Sequence, residues 1–135
     1  MNTTNVLFLC PHAAAKSVIA MTYFQDLANK ADLNVTASNA GTEPDPAINP
    51  KVDQLLRSEG FNLSDFKPKH LEEGQLAAAD IVVSIGCIEK EAVPTGTQFL
   101  DWSDVPMLSD DFQGSRNKIL AHAKDLVTRL KEAAG

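Results

Sequence analysis

The sequence predicts an α/β fold: a small doubly wound, four-stranded parallel sheet with helices on both faces. Three observations carry that expectation. Short apolar runs alternate along the chain with segments of helical periodicity. The run Ile81-Val82-Val83-Ser84-Ile85 is almost continuously apolar, as a strand buried on both faces must be. The first apolar run leads through a small-residue loop into a helix, which opens a right-handed β-α-β crossover.

Each element has its own signal. Asn5 to Cys10 reads as a buried strand, and Ser17 to Ala31 as a helix with Ala20, Tyr23, Phe24, Leu27 and Ala31 at helical spacing. Leu33 to Thr42 alternates as a strand does, until Glu43-Pro44-Asp45-Pro46 forces a loop. Asn49 is a natural N-cap and Pro50 a first-turn residue for a helix whose Val52, Leu55 and Leu56 face inward and which Gly60 ends. A short helix is expected over Leu71 to Ala79, interrupted by Gly74, and then the Ile81–Ile85 strand. Thr97 to Leu100 gives a fourth strand. Beyond the turn-rich Asp101 to Asp111, residues Ile119, Ala123, Leu126, Val127 and Leu130 stripe a terminal amphipathic helix.

At 135 residues the chain suits one domain, 1–135, large enough to bury about two-thirds of its unfolded surface without a metal or disulfide staple. Two cysteines, 77 positions apart, are too few for a disulfide framework or a zinc site, and they point to reducing cytoplasm. Neither a signal peptide nor a membrane span is expected, because no long apolar run occurs. A formal charge of −6 argues against nucleic acid as the main partner, since phosphate backbones require a basic face. One local site can still hold a small anion against that net charge.

That site is the stretch Leu7 to Ser17. An apolar strand ends at Cys10, and Pro11-His12-Ala13-Ala14-Ala15 leads to Lys16-Ser17 at the start of a helix. Backbone N–H groups at a helix N-terminus converge on one point, and the helix dipole favours negative charge there. The same field favours a thiolate at Cys10. A lysine opening a helix is unfavourable unless an anion pairs with it, so Lys16 also points to a bound oxyanion. In an open α/β sheet, ligands sit beyond the C-terminal ends of the strands. The Cys10 loop, the segment after Ile85 and the turn after Leu100 should therefore share one edge.

Cys10-x5-Lys16-Ser17 after a strand, with Asn39-Ala40-Gly41-Thr42 closing the second strand, resembles the low-molecular-weight protein tyrosine phosphatase superfamily and its arsenate reductase branch. The likeness continues through Glu59-Gly60-Phe61-Asn62-Leu63-Ser64 and Ala79-Asp80-Ile81-Val82-Val83, and Gly86-Cys87 with Phe99-Leu100-Asp101-Trp102 leans toward the reductases. The resemblance implies that Cys10 is the nucleophile, that Lys16 stands in for the arginine that clamps the oxyanion, and that Ser17 hydrogen-bonds the thiolate. It implies that the N–H groups of His12, Ala13, Ala14, Ala15, Lys16 and Ser17 line the anion. It makes Asp104, in Asp104-Val105-Pro106, the acid, with Asp101 a rival because Val105 separates Asp104 from the proline.

The loop also departs from the family. An ammonium at Lys16 neutralises charge but lacks the two-pronged contact of a guanidinium. Ala13 stands where the family favours an asparagine in the left-handed conformation, at a strain of roughly 1 kcal/mol for alanine. Pro11 brings no N–H.

For an arsenate reductase the resemblance implies attack by Cys10 on arsenate, then attack by Cys87 on the adduct. Glu91 lies where relatives carry a further cysteine, so a three-cysteine relay is impossible. A thioredoxin-like partner or a small thiol would then serve as reductant, with no bound cofactor and no metal. For a phosphatase the same Cys10 would form a phosphocysteine and Cys87 would be incidental. A third possibility is an oxyanion-binding regulatory module without turnover. Trp102 and Met107 are expected to cover the pocket, and His70 and His122 to be structural or solvated.

Overall fold

In the computed structural model, which describes residues 3–134, four strands build one sheet: β1 (Thr4–Leu9), β2 (Val35–Ala40), β3 (Ile81–Ser84) and β4 (Gln98–Asp101). Their order is β2-β1-β3-β4 and every neighbouring pair is parallel. Helices α1 (Lys16–Lys30), α2 (Pro50–Ser58), α3 (Glu73–Ala78) and α4 (Phe112–Ala134) complete the chain, with a 3-10 turn at Lys90–Ala92 that the sequence pattern does not announce.

Strand β1 sorts the core by simple alternation. Val6 and Phe8 enter one cluster with Ile19, Phe24, Val52, Ile119 and Ala123 of the helices, while Leu7 and Leu9 enter a second with Val82, Leu71 and Leu76. Helices therefore cover both faces. Phe8 sits between Phe24 and Trp102, ring centroids 5.5 and 5.6 Å away. Fully burying such a ring contributes about 2–3 kcal/mol. Away from the sheet, Tyr23 of α1 donates to Glu59 Oε1 (2.6 Å), and Arg116 of α4 reaches both Tyr23 Oη (3.0 Å) and Glu59 Oε2 (2.8 Å). This pin ties α1, the end of α2 and α4 together.

Several boundaries differ from the expected ones for identifiable reasons. Helix α1 begins at Lys16 rather than Ser17. Helix α4 begins at Phe112, well before the apolar stripe, because the Asp111 carboxylate accepts from Gly114 N–H at 2.9 Å and caps it. Leu71 stays outside α3 because its N–H is drawn to Gly41 O (2.8 Å), while Glu72 and Gln75 form a reciprocal capping box. Strand β3 stops at Ser84, whose hydroxyl organises the turn that follows. Asn49 does cap α2, accepting from Lys51 and Val52.

Strand register sets the site. Leu9 pairs with Ala40 on one side and Ser84 on the other, and Ser84 pairs with Asp101. All four strands end level, so Cys10, Gly41-Thr42, the turn to Cys87 and Trp102 leave the same edge. Among the described residues no helix is long and apolar enough to cross a membrane.

Candidate active site

Cys10 is almost fully buried (3%) and Ser17 wholly so. The Ser17 N–H donates to Cys10 Sγ at 3.3 Å, and Ser17 Oγ lies 3.0 Å from the same sulfur. A thiol donates across that second contact; a thiolate accepts from the hydroxyl. Helix α1 has Ala15 at its N-cap and no side-chain cap, so its first-turn N–H groups are left for a ligand.

The segment after β2 turns the loop's carbonyls outward. Glu43 N–H donates to Pro11 O (2.8 Å), Asp45 N–H to His12 O (3.0 Å) and Asn49 N–H to Ala14 O (2.9 Å). In a trans peptide the next N–H points opposite to its carbonyl, so those of His12 and Ala15 face away from this bracing segment. Ala13 is an exception to the expected ring of donors. Its N–H is turned back to Cys10 O at 3.3 Å, which takes it out of the set that can line an anion. The left-handed backbone expected at that position is present, with Ala13 at φ 54°.

Asn39 is the member of the site that the sequence pattern leaves silent. Its side-chain amide donates to Ala13 O (3.2 Å) and to Ser17 Oγ (3.0 Å) from the end of β2, where it is 8% exposed. One amide thus holds both the strained residue and the hydroxyl beside Cys10. The available signal was an asparagine inside a strand, where that residue is depleted. Gly41 completes the packing. A Cβ there would stand 2.4 Å from Pro11 O, 2.6 Å from Cys10 O and 2.9 Å from Ala13 N, closer than any side chain permits.

Among the described residues Lys16 pairs with no carboxylate; its ammonium lies 3.8 Å from Met107 Sδ, and Met107 is exposed. Met107 therefore lies against the loop, as expected. Trp102 is buried, packed on Phe8 and stacked on His122 with centroids 4.7 Å apart. The His12 ring turns Nδ1 to Glu43 O (3.0 Å) and Asp45 Oδ1 (3.4 Å).

Asp104 is held by helix α4. Its carboxylate meets His122 Nε2 (2.8 Å) and Lys118 Nζ (3.3 Å) of α4. Burial pushes the carboxyl upward, but the His122 and Lys118 contacts together outweigh it and hold the group below the usual carboxylate range. A general acid needs the opposite shift. Asp101 accepts from Ser103 N–H (2.9 Å) in a local turn. Among the described residues neither carboxylate contacts the loop.

Cys87 is half-buried, and neither it nor Cys10 is joined in a disulfide. Burial pushes its thiol up, and the nearby Cys10 adds to this; hydrogen bonds from the Thr42 hydroxyl and N–H oppose them. The second thiol thus stands within electrostatic reach of the first. Among the described residues no three His, Cys, Asp or Glu side chains converge to hold a metal ion.

The family model for low molecular weight phosphotyrosine protein phosphatases matches residues 5–133. A Halobacterium salinarum protein named provisionally as an arsenate reductase is 27% identical over 104 residues, 76% of this chain and 73% of that one. The solved structure of the Corynebacterium glutamicum thioredoxin-dependent arsenate reductase superposes with a TM-score of 0.83 at 29% identity, covering 97% of this chain. This chain spans 63% of the length of that protein. The arsenate reductase of Archaeoglobus fulgidus superposes with a TM-score of 0.69 at 26% identity, covering 93% of this chain and 97% of its own.

Proposed function

The chain belongs to the low molecular weight phosphotyrosine protein phosphatase family, and from that premise we propose a cysteine-dependent enzyme acting on a tetrahedral oxyanion, arsenate foremost. The observation that carries this reading is two free thiols at one sheet edge, Cys10 beneath an uncapped helix N-terminus and Cys87 within its electrostatic reach.

Arsenate oxygens would accept from the N–H groups of His12, Ala14, Ala15 and Lys16, while the Lys16 ammonium neutralises their charge. The Cys10 thiolate, steadied by Ser17, attacks arsenic(V); a sulfur–arsenic bond forms and one oxygen leaves as water. With both nearby carboxylates engaged elsewhere, solvent supplies the protons for that departure. The Cys87 thiolate then attacks Cys10 Sγ. A disulfide forms, the sulfur–arsenic electron pair stays on arsenic, and arsenite leaves. Arsenic gains two electrons and the two sulfurs lose two.

An external dithiol of the thioredoxin class, or a small thiol, returns the disulfide to two thiols. The dependence printed in the Corynebacterium protein's name supports the first of these. The test is arsenite release with a thioredoxin system, comparing the parent protein with Cys10→Ser and Cys87→Ser. Both variants should lose turnover. No arsenite from the parent, or an equal yield from Cys87→Ser, overturns the reading.

A second reading, oxyanion binding with little turnover, draws on the Asp104 contacts and on Lys16 in place of a guanidinium. Phosphatase chemistry through a phosphocysteine is weakened by the same Asp104 contacts. Aryl phosphate hydrolysis run beside the arsenite assay separates the three. Protection of Cys10 from alkylation by phosphate, with neither product formed, selects the binding module.

A further inference from the structure

Cys87 is held in place by two hydroxyls that the family likeness did not bring forward. Ser84, 1% exposed at the end of β3, uses every hydrogen-bonding position it has. Its Oγ accepts from Cys87 N–H (3.1 Å) and Ile88 N–H (3.0 Å) and donates to Ile88 O (3.0 Å). Gly86, at φ 71°, supplies the left-handed residue that the turn needs. The turn is also anchored to the loop: Ser84 pairs with Leu9, one residue before Cys10, and Ile85 N–H donates to Leu9 O at 2.7 Å.

The second hydroxyl acts on the sulfur. The Thr42 hydroxyl and N–H lie close enough to Cys87 to pull its thiol down, against the larger upward push of burial. Thr42 follows Gly41, whose α-carbon is pressed against the Cys10 and Pro11 carbonyls. A thiol serving only as apolar filler in the Leu7, Leu9 and Val82 cluster it packs against would receive no such donors. These contacts favour the form that bears negative charge, which is the form that attacks, and offset part of what burial takes away.

We propose that Ser84 and Thr42 are positioning residues for Cys87: Ser84 fixes the turn relative to Cys10, and Thr42 orients the sulfur as a nucleophile toward it. This rests on the reading of Cys87 as the thiol that resolves Cys10. A test free of arsenate uses stoichiometric hydrogen peroxide. Peroxide converts the Cys10 thiolate to a sulfenic acid with release of hydroxide, and the Cys87 thiol condenses with it to a disulfide and water. Disulfide formation is followed by peptide mass after quenching, for the parent protein, Thr42→Val, Thr42→Ser, Ser84→Ala and Ser84→Thr.

Thr42→Val should slow the condensation about tenfold, the loss of one hydrogen bond to a charged group, with Thr42→Ser restoring it. Ser84→Ala should slow it by at least as much, with Ser84→Thr restoring part of the rate. Cys10 alkylation by iodoacetamide, measured in parallel, should stay within twofold, because a general loss of structure would move both. Parent-like condensation in Thr42→Val overturns the positioning proposal and leaves the resolving role of Cys87 standing. No Cys10–Cys87 disulfide in the parent protein overturns that resolving role itself. Should Ser84→Ala fail to fold, the Thr42 pair decides.

Discussion

Replacing Asn39 with alanine removes one amide that serves two buried acceptors, Ala13 O and Ser17 Oγ. Two consequences follow, and they are measured separately. The first is stability. Each buried acceptor left without its donor costs about 1–3 kcal/mol, so Asn39→Ala should lower unfolding free energy by roughly 2–4 kcal/mol in urea. The second is reactivity. Asn39 occupies a lone pair of Ser17 Oγ and so directs the hydroxyl hydrogen toward Cys10, 3.0 Å away. Released from that constraint the hydroxyl rotates, and losing one oriented hydrogen bond to a charged sulfur, about 1.5 kcal/mol, slows Cys10 alkylation by roughly tenfold. The assay is iodoacetamide alkylation near neutral pH in a Cys87→Ser background, so that one thiol is read. Asn39→Asp should be slower still, because a carboxylate would draw the Ser17 hydrogen to itself. Stability loss with unchanged alkylation in both variants would refute the link from Asn39 to Cys10.

Lys16→Arg should strengthen phosphate protection of Cys10 from alkylation by about fivefold to tenfold, through the planar contact an ammonium cannot make; weaker protection would mean the loop is fitted to lysine. Gly41→Ala should cost several kcal/mol or abolish folding, read by thermal unfolding, since its Cβ would overlap three backbone atoms. Asp104→Asn should leave turnover within twofold, and a loss of a hundredfold would restore the carboxylate to the chemistry. Tyr23, the one tyrosine in the chain, should ionise near pH 12 in an ultraviolet titration, because burial and its bond to Glu59 raise it while Arg116 only partly opposes them. The fold prefers the neutral phenol, so this stabilisation is whole below about pH 10 and is lost as pH rises from 10 toward 12.

The sheet and its reactive edge were legible because their signals are local. Continuous apolar character marked Ile81–Ser84, Asn49-Pro50 marked the start of α2, and small residues between Cys10 and Lys16-Ser17 marked a loop before a helix. What stayed hidden depended on side-chain directions set by distant partners. Nothing near Asp104 in sequence tells that His122 and Lys118, turns away on α4, take its carboxylate. Met107 meets Lys16 across most of the chain, and Trp102 turns inward because Phe8 and His122 offer faces to stack on. In the sequence Asn39 marks only the end of a strand, since its amide becomes meaningful once β2 pairs with β1 and stands beside the Cys10 loop.

The four strands ending level carry a consequence for how such a site can change over generations. Each edge loop leaves its own strand, at Ala40, Leu9, Ser84 and Asp101, and the apolar clusters reach up into the loops through Cys10, Ile85, Cys87 and Trp102. A substitution at a polar position of one loop can therefore be offset from the strand or loop beside it. Alanine at position 13, held by an amide borrowed from position 39, has the form of such an exchange.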